Sequence, residues 1–151
     1  VPGLSYRVAA QHESESQDGN GWKARELQHG VAWLSAQTSE RFIPQMLGFD
    51  QIGAVSFSKG CYAGQEIVAR ARYLGTVKRK PLRLLVAAAP VIAPGAVIRV
   101  QAGDAWLDGV AIDSAPLGPG RQRMVFAVAA VPAGTVRALE FEERSYRCAT
   151  M

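Results

Sequence analysis

The 151-residue sequence predicts an α+β protein in two pieces: a mixed α/β piece over residues 1–76 and a small antiparallel β-barrel over residues 77–151. Three observations carry this reading. β-type runs at 77–89, 96–100, 105–113, 121–131 and 135–147 alternate with turn signals at Ala93-Pro94-Gly95, Ala102-Gly103-Asp104, Pro116 to Gly120 and Pro132-Ala133-Gly134. Short strands at such regular spacing read as five or six antiparallel strands closing on themselves. Before Thr76 the pattern is helical or irregular, and a composition of 48% hydrophobic and 20% charged residues is globular, with enough chain for one core or two small ones. No apolar run is long enough for a membrane span and no charged-then-apolar leader opens the sequence, so a cytoplasmic protein is expected.

In chain order, residues 4–10 mix β-branched and aromatic residues and read as a strand, while the polar, acidic stretch 11–21 reads as an exposed loop. Trp22 to His29 follows as a helix of about two turns, with Asn20 as its cap and Gly30 as its stop. Val31-Ala32-Trp33-Leu34 is expected to be buried, and Thr38 and Ser39 to cap a short helix through Phe42 that Pro44 limits. Ala54-Val55-Ser56-Phe57 alternates and reads as a strand. Gly60 is expected to allow a sharp turn, and Gln65 to Ala71 to form a short helix. Trp22, Trp33 and Trp106 are assigned to the core, and Asp108 and Asp113 to turns or surface.

The strand–turn–helix from Ser56 to Ala71 places Cys61 where unpaired N–H groups and the positive end of a helix dipole can stabilise a thiolate or an anion. Lys59 and Arg70 add cationic charge on either side. Glu66 and Arg70 have the i, i+4 spacing that sets both side chains on one helical face. The plain alternative is a small buried Cys with a solvated charged face around it. Residues 59–83 hold seven Lys or Arg against Glu66 alone, a local charge of +6 that leaves −2 for the rest of a chain whose net charge is +4. Such a belt suits an anionic partner, whether a polyglutamylated folate, RNA or an acidic protein surface. Cys61 and Cys148 with His12 and His29 give no metal-ligand spacing, so no bound metal is expected. A disulfide between the two thiols is not expected in a reducing compartment either, and Cys148 is taken as incidental.

Lys59-Gly60-Cys61-Tyr62-Ala63-Gly64-Gln65-Glu66 followed by Ile67-Val68-Ala69-Arg70, and preceded by Phe42-Ile43-Pro44-Gln45-Met46, closely resembles the signature of the YgfZ family. These are folate-binding, GcvT-like proteins, relatives of the glycine cleavage T-protein. The resemblance implies that residues 1–76 are the C-terminal half of a GcvT-like folate-binding α/β module and that a C-terminal β-barrel follows. It further implies a longer protein of which this chain is a fragment, as does Val1-Pro2-Gly3 in place of an initiator Met.

The activity implied is that of an accessory protein that binds tetrahydrofolate or a derivative and supports assembly or repair of iron–sulfur client enzymes, and through them tRNA modification. Folate binding is expected to need the missing N-terminal half. Cys61 would be the functional thiol, held activated by Lys59, Gly60 and the helix N-terminus, with Gln65, Glu66 and Arg70 shaping a pocket wall. Tyr62 would stack on an aromatic ring or fill the interface between the pieces. Gln28 matches a family glutamate that in the aminomethyltransferases helps hold the pterin ring, and an amide there cannot supply a carboxylate. Ala32 and Gly48 are two further departures, standing where the family commonly has Pro and often Asn. Two other readings are a tetrahydrofolate-dependent aminomethyltransferase and a non-enzymatic RNA- or protein-binding module. Direct nucleic-acid binding is not expected, because only Tyr62 and Tyr73 stand near the basic belt.

Overall fold

A computed structural model describes residues 20–118, 121–132 and 135–151. The strand expected at 4–10, and all of the loop expected at 11–21 except its last two residues, lie outside them. The barrel predicted for the second piece is present, closed and six-stranded: β1 (Lys80–Ala87), β2 (Val97–Ala102), β3 (Ala105–Pro116), β4 (Gln122–Ala129), β5 (Val136–Phe141) and β6 (Arg144–Thr150), joined in the order β1-β4-β3-β2-β5-β6 with every pair antiparallel. Closure comes from β6 returning to β1, with Leu84 opposite Thr150 and Val86 opposite Cys148. Each strand then has two neighbours, so the sheet leaves no open edge.

β1 shows why its sequence chose a strand. Half-buried Pro81, Arg83 and Leu85 alternate with Leu82, Leu84 and Val86, which point into the barrel and are almost fully buried. β3 and β4 do not alternate, because both their faces are covered. Ala111, Val125, Ala127 and Ala129 join Leu84, Val100 and Leu139 inside the barrel. Ile112, Ala115, Met124, Phe126 and Val128 form a second core outside it, under Ala24 and Leu27 of helix α1 (Asn20–Gln28) and Leu47. A bulge at Ile112 shifts the β3–β4 register between Ala111 and Asp113 and lets successive β3 residues serve the two cores.

The run 135–147 divides into two strands at Glu142-Glu143, whose φ values of 51° and 60° make the left-handed two-residue turn that matches strand twist. Several local expectations are corrected. Residues 54–57 form no strand, since the closed barrel has no edge for them to join. Thr38 is fully buried in a turn, its hydroxyl accepting the Ser35 N–H at 2.9 Å, and caps no helix. Pro44 opens a 3-10 helix, Pro44–Leu47, instead of ending one, because a residue without an N–H is best placed in a first turn. Asn20 is the first residue of α1 itself.

Trp33 and Leu34 are exposed, as is Trp22; α1 already covers the β3–β4 wall, and the two indoles lean on each other with centroids 6.1 Å apart. Trp33 donates its indole N–H to the buried Glu26 carboxylate. Trp106 is half-buried under the Arg99 guanidinium. Asp113, expected at a surface, is buried in β3, where Lys23 pairs with it at 2.7 Å and its own carboxylate accepts the Ser114 N–H. Asp108 is exposed, as expected. Among the described residues no helix is long and apolar enough to cross a membrane.

Candidate functional site

Helix α2 (Gln65–Tyr73) is the element on which the thiol loop rests. Glu66 in its first turn and Arg70 and Arg72 in its last complement the helix dipole. Gly64 caps it in the left-handed region at φ 80°, so this glycine makes the sharp turn. Gly60, expected to do so, has no positive φ.

α2 buries only Val68, yet it is tied to the 3-10 helix from below. The Gln45 side chain, 7% exposed, donates from Nε2 to the Val68 carbonyl at 2.6 Å. Gly48, left-handed at φ 71°, ends the 3-10 helix; a Cβ there would meet Pro81 Cγ at 2.9 Å, so the helix sits directly against β1. The two sequence motifs, Phe42–Met46 and Lys59–Arg70, are therefore one structure: the first holds the second against the barrel.

The loop itself is braced on both sides of the cysteine. On one side the Lys59 N–H donates to Ser56 Oγ at 3.3 Å. On the other, the Tyr62 N–H donates to Gln65 Oε1 at 3.1 Å, while the Gln65 N–H returns to the Tyr62 carbonyl at 3.2 Å. The Lys59 ammonium lies over the Tyr62 ring, 4.7 Å from its centroid. Between these braces Cys61 is exposed to solvent. It precedes the capping Gly64 by three residues, and among the described residues no hydrogen bond reaches its sulfur. The sulfur is accessible, but Lys59 is turned to Tyr62 and not to it.

Of the residues expected to act together, Lys59, Tyr62 and Gln65 line one hollow of about 50 Å³, with Phe57 and Tyr73. Gly60, Glu66 and Arg70 are exposed around it, and Glu66 and Arg70 form no ion pair. Gln28 stands elsewhere, at the end of α1, where its carbonyl accepts Arg83 Nη1 at 2.9 Å. Its neighbours His29 and Gly30 line a second cavity of about 240 Å³ together with Leu47, Pro81, Arg83 and Phe126.

A 50 Å³ hollow takes one or two waters, whereas sites for organic ligands run to roughly 300 Å³ or more. Among the described residues, Lys59, Tyr62 and Gln65 thus line a hollow smaller than such sites. The sequence reading missed Gln45 and the stack of Phe57, Arg72 and Tyr73, in which the Arg72 guanidinium lies 4.0 Å from the Phe57 centroid. A glutamine beside a helix-starting proline and two aromatics sixteen residues apart were their only traces.

The second thiol is of another kind. Cys148 lies in the barrel core on β6, and burial pushes it from 9.0 up to about 11. Among the described residues no three His, Cys, Asp or Glu side chains gather as a metal site.

These elements define a class: a closed six-stranded barrel that carries, on one outer wall, a lightly anchored arm displaying a cysteine in a Lys-Gly-Cys-Tyr-Ala-Gly-Gln-Glu loop. No family model matches the chain. Over 85 residues, 56% of its length, the chain is 41% identical to the tRNA-modifying protein YgfZ of Cronobacter sakazakii, and it is a relative of the YgfZ family. The match spans 26% of that protein's length.

Proposed function

We propose that the full-length protein serves tRNA modification, as an accessory factor in which Cys61 is the functional thiol. The observation that carries the proposal is the exposed Cys61, held between two braces on an arm whose sequence matches the YgfZ signature. The 41% identity to a protein named as tRNA-modifying supplies the process. An exposed, unbridged sulfur on a surface arm can reach the sulfur, metal or electrophilic centre of a second protein, which a thiol inside a core cannot. Support of iron–sulfur clients is the role this reading gives it.

We further propose that a reduced folate binds the full-length protein, mainly through residues outside this chain, with Gln28 offering an amide to the pteridine edge. The small volume beside Lys59, Tyr62 and Gln65 argues that these three shape a wall and do not form a complete pocket.

The test is to supply cells lacking the gene with the full-length protein or its Cys61→Ser variant and to measure modified nucleosides in total tRNA by mass spectrometry. Restoration by the parent and loss with Cys61→Ser are expected. Equal restoration by both would remove the thiol from the function. Titration of the full-length protein with a reduced folate checks the ligand separately; no saturable binding would overturn that part.

A further inference from the structure

The sequence places only Tyr62 and Tyr73 near the basic belt, whereas the fold gathers three rings and the cations together. Arg72 lies over Phe57 at 4.0 Å and near Tyr73 at 5.8 Å, Phe57 and Tyr73 meet edge to face with centroids 6.4 Å apart, and Lys59 covers Tyr62 at 4.7 Å. Phe57, Tyr62 and Tyr73 line the same hollow. Tyr73 is 67% exposed, so its ring is available to a flat partner.

The charge is equally uncommitted. Lys59, Arg70 and Arg72 are exposed, Lys78, Arg79 and Lys80 continue on the exposed segment leading into β1, and among the described residues none of the six is ion-paired. By contrast Lys23 and Arg99 elsewhere on the molecule have carboxylate partners. Two of these cations, Lys59 and Arg72, lie on the rings themselves, and six like charges without carboxylate partners within 22 residues favour an anionic partner.

We infer that this face binds single-stranded nucleic acid, with Tyr73 and the Phe57–Arg72 stack receiving unstacked bases and Lys59, Arg70 and the 78–80 segment meeting phosphates. Two features favour this partner over an acidic peptide or a polyglutamate tail. The face offers both rings and exposed cations, as a base-and-phosphate polymer requires, and a poly-glutamate chain has no flat faces to stack. The exposed guanidinium of Arg72, already 4.0 Å over the Phe57 centroid, extends the stacking surface. A duplex would offer its phosphates but not its base faces.

The experiment is fluorescence polarisation on the full-length protein with labelled 12-nucleotide single-stranded RNA, the same sequence as DNA, the duplex RNA and a poly-glutamate peptide. About four phosphate contacts predict a slope of log K against log salt near −3, or roughly 50-fold weaker binding between 50 and 200 mM salt. Tyr73→Ala, at an exposed position that folding tolerates, is expected to weaken single-strand binding by about 5- to 100-fold, with recovery in Tyr73→Trp. Arg70→Gln weakens it and flattens the slope by about one contact, while Arg147→Gln on the exposed part of β6 changes neither. RNA and DNA binding alike support the site, and their ratio tells whether 2′-hydroxyls are read. Absent binding at 50 mM salt, duplex or poly-glutamate binding as tight as the single strands, or a Tyr73→Ala variant indistinguishable from the parent would each overturn it. The readout is binding in vitro, so it stands or falls apart from the tRNA-modification levels that test Cys61.

Discussion

Gln45→Met removes the side-chain bond that ties α2 to the barrel while keeping a similar shape. In the parent, Gln45 Nε2 reaches the Val68 carbonyl at 2.6 Å in a buried setting, and Val68 is the only buried residue of α2. A buried hydrogen bond to a carbonyl contributes about 1–3 kcal/mol when its loss leaves the partner unsatisfied. The parent also carries a cost that the variant escapes, because Gln45 Oε1 is buried with no partner among the described residues. The expected net loss is therefore about 1–2 kcal/mol, felt where the bond acts. Local opening of α2 should become roughly 5- to 30-fold more frequent, while the barrel, which shares no part of that bond, keeps its protection. Hydrogen exchange read by mass spectrometry tests this by comparing peptides over 65–74 with peptides over 122–129. Faster exchange confined to 65–74 is expected. Unchanged exchange there, or an equal rise in both peptides, would refute the idea that Gln45 is the tether.

Gly48→Ala combines a left-handed backbone with a Cβ 2.9 Å from Pro81 Cγ, and is expected to cost about 2–3 kcal/mol, seen as a fall of about 5–10 °C in the thermal midpoint. Replacing Glu142-Glu143 with Asn-Gly, residues that accept φ values of 51° and 60° readily, should stabilise the β5–β6 hairpin by about 1 kcal/mol, checked by urea unfolding. The Cys148 thiol is raised in the folded state, so the native barrel holds this proton when the unfolded chain has released it; its contribution is whole below pH 9 and fades as pH rises through about 11. Urea midpoints at pH 8 and pH 10.5 should differ by more in the parent than in Cys148→Ala, with at most about 2–3 kcal/mol at stake, and equal differences would show the thiol is not linked to folding.

The barrel was legible because its evidence is local. Period-two alternation in β1 and glycine- or proline-marked turns after β1, β2, β3 and β4 are written in consecutive residues. The hairpin at Glu142-Glu143 escaped notice because glutamate carries no turn signature; its left-handed φ is imposed by the strands on either side, not by its own preference. Of the Val31–Leu34 run, Ala32 does join the core under α1, while Trp33 and Leu34 are exposed: burial depends on whether a wall is still uncovered, and hydrophobicity alone does not say so. The same holds for residues 54–57, whose alternation is real but finds no strand to pair with. In the candidate site, contiguous residues such as Lys59, Cys61 and Gln65 could be read directly. The bond from Gln45 to Val68 crosses 23 residues and the stack of Arg72 on Phe57 crosses fifteen, distances at which neither periodicity nor spacing speaks.

The unequal anchoring of the two parts bears on how a surface thiol can be used. A barrel without open edges and with a filled interior resists local opening, whereas an arm held by one side-chain bond and one buried valine opens at small cost. The braces on either side of Cys61 are short-range, within the loop and the first residue of α2, so they travel with the arm when it moves. The loop can thus keep its shape while its position on the barrel shifts. That combination suits delivery of a preformed cysteine to a partner surface better than catalysis in a fixed pocket, where a displacement of about 1 Å already costs on the order of 100-fold in rate. Gln45 then sets how far the arm moves, and strengthening that tether should slow transfer to a large partner while leaving reaction of Cys61 with a small alkylating reagent unchanged.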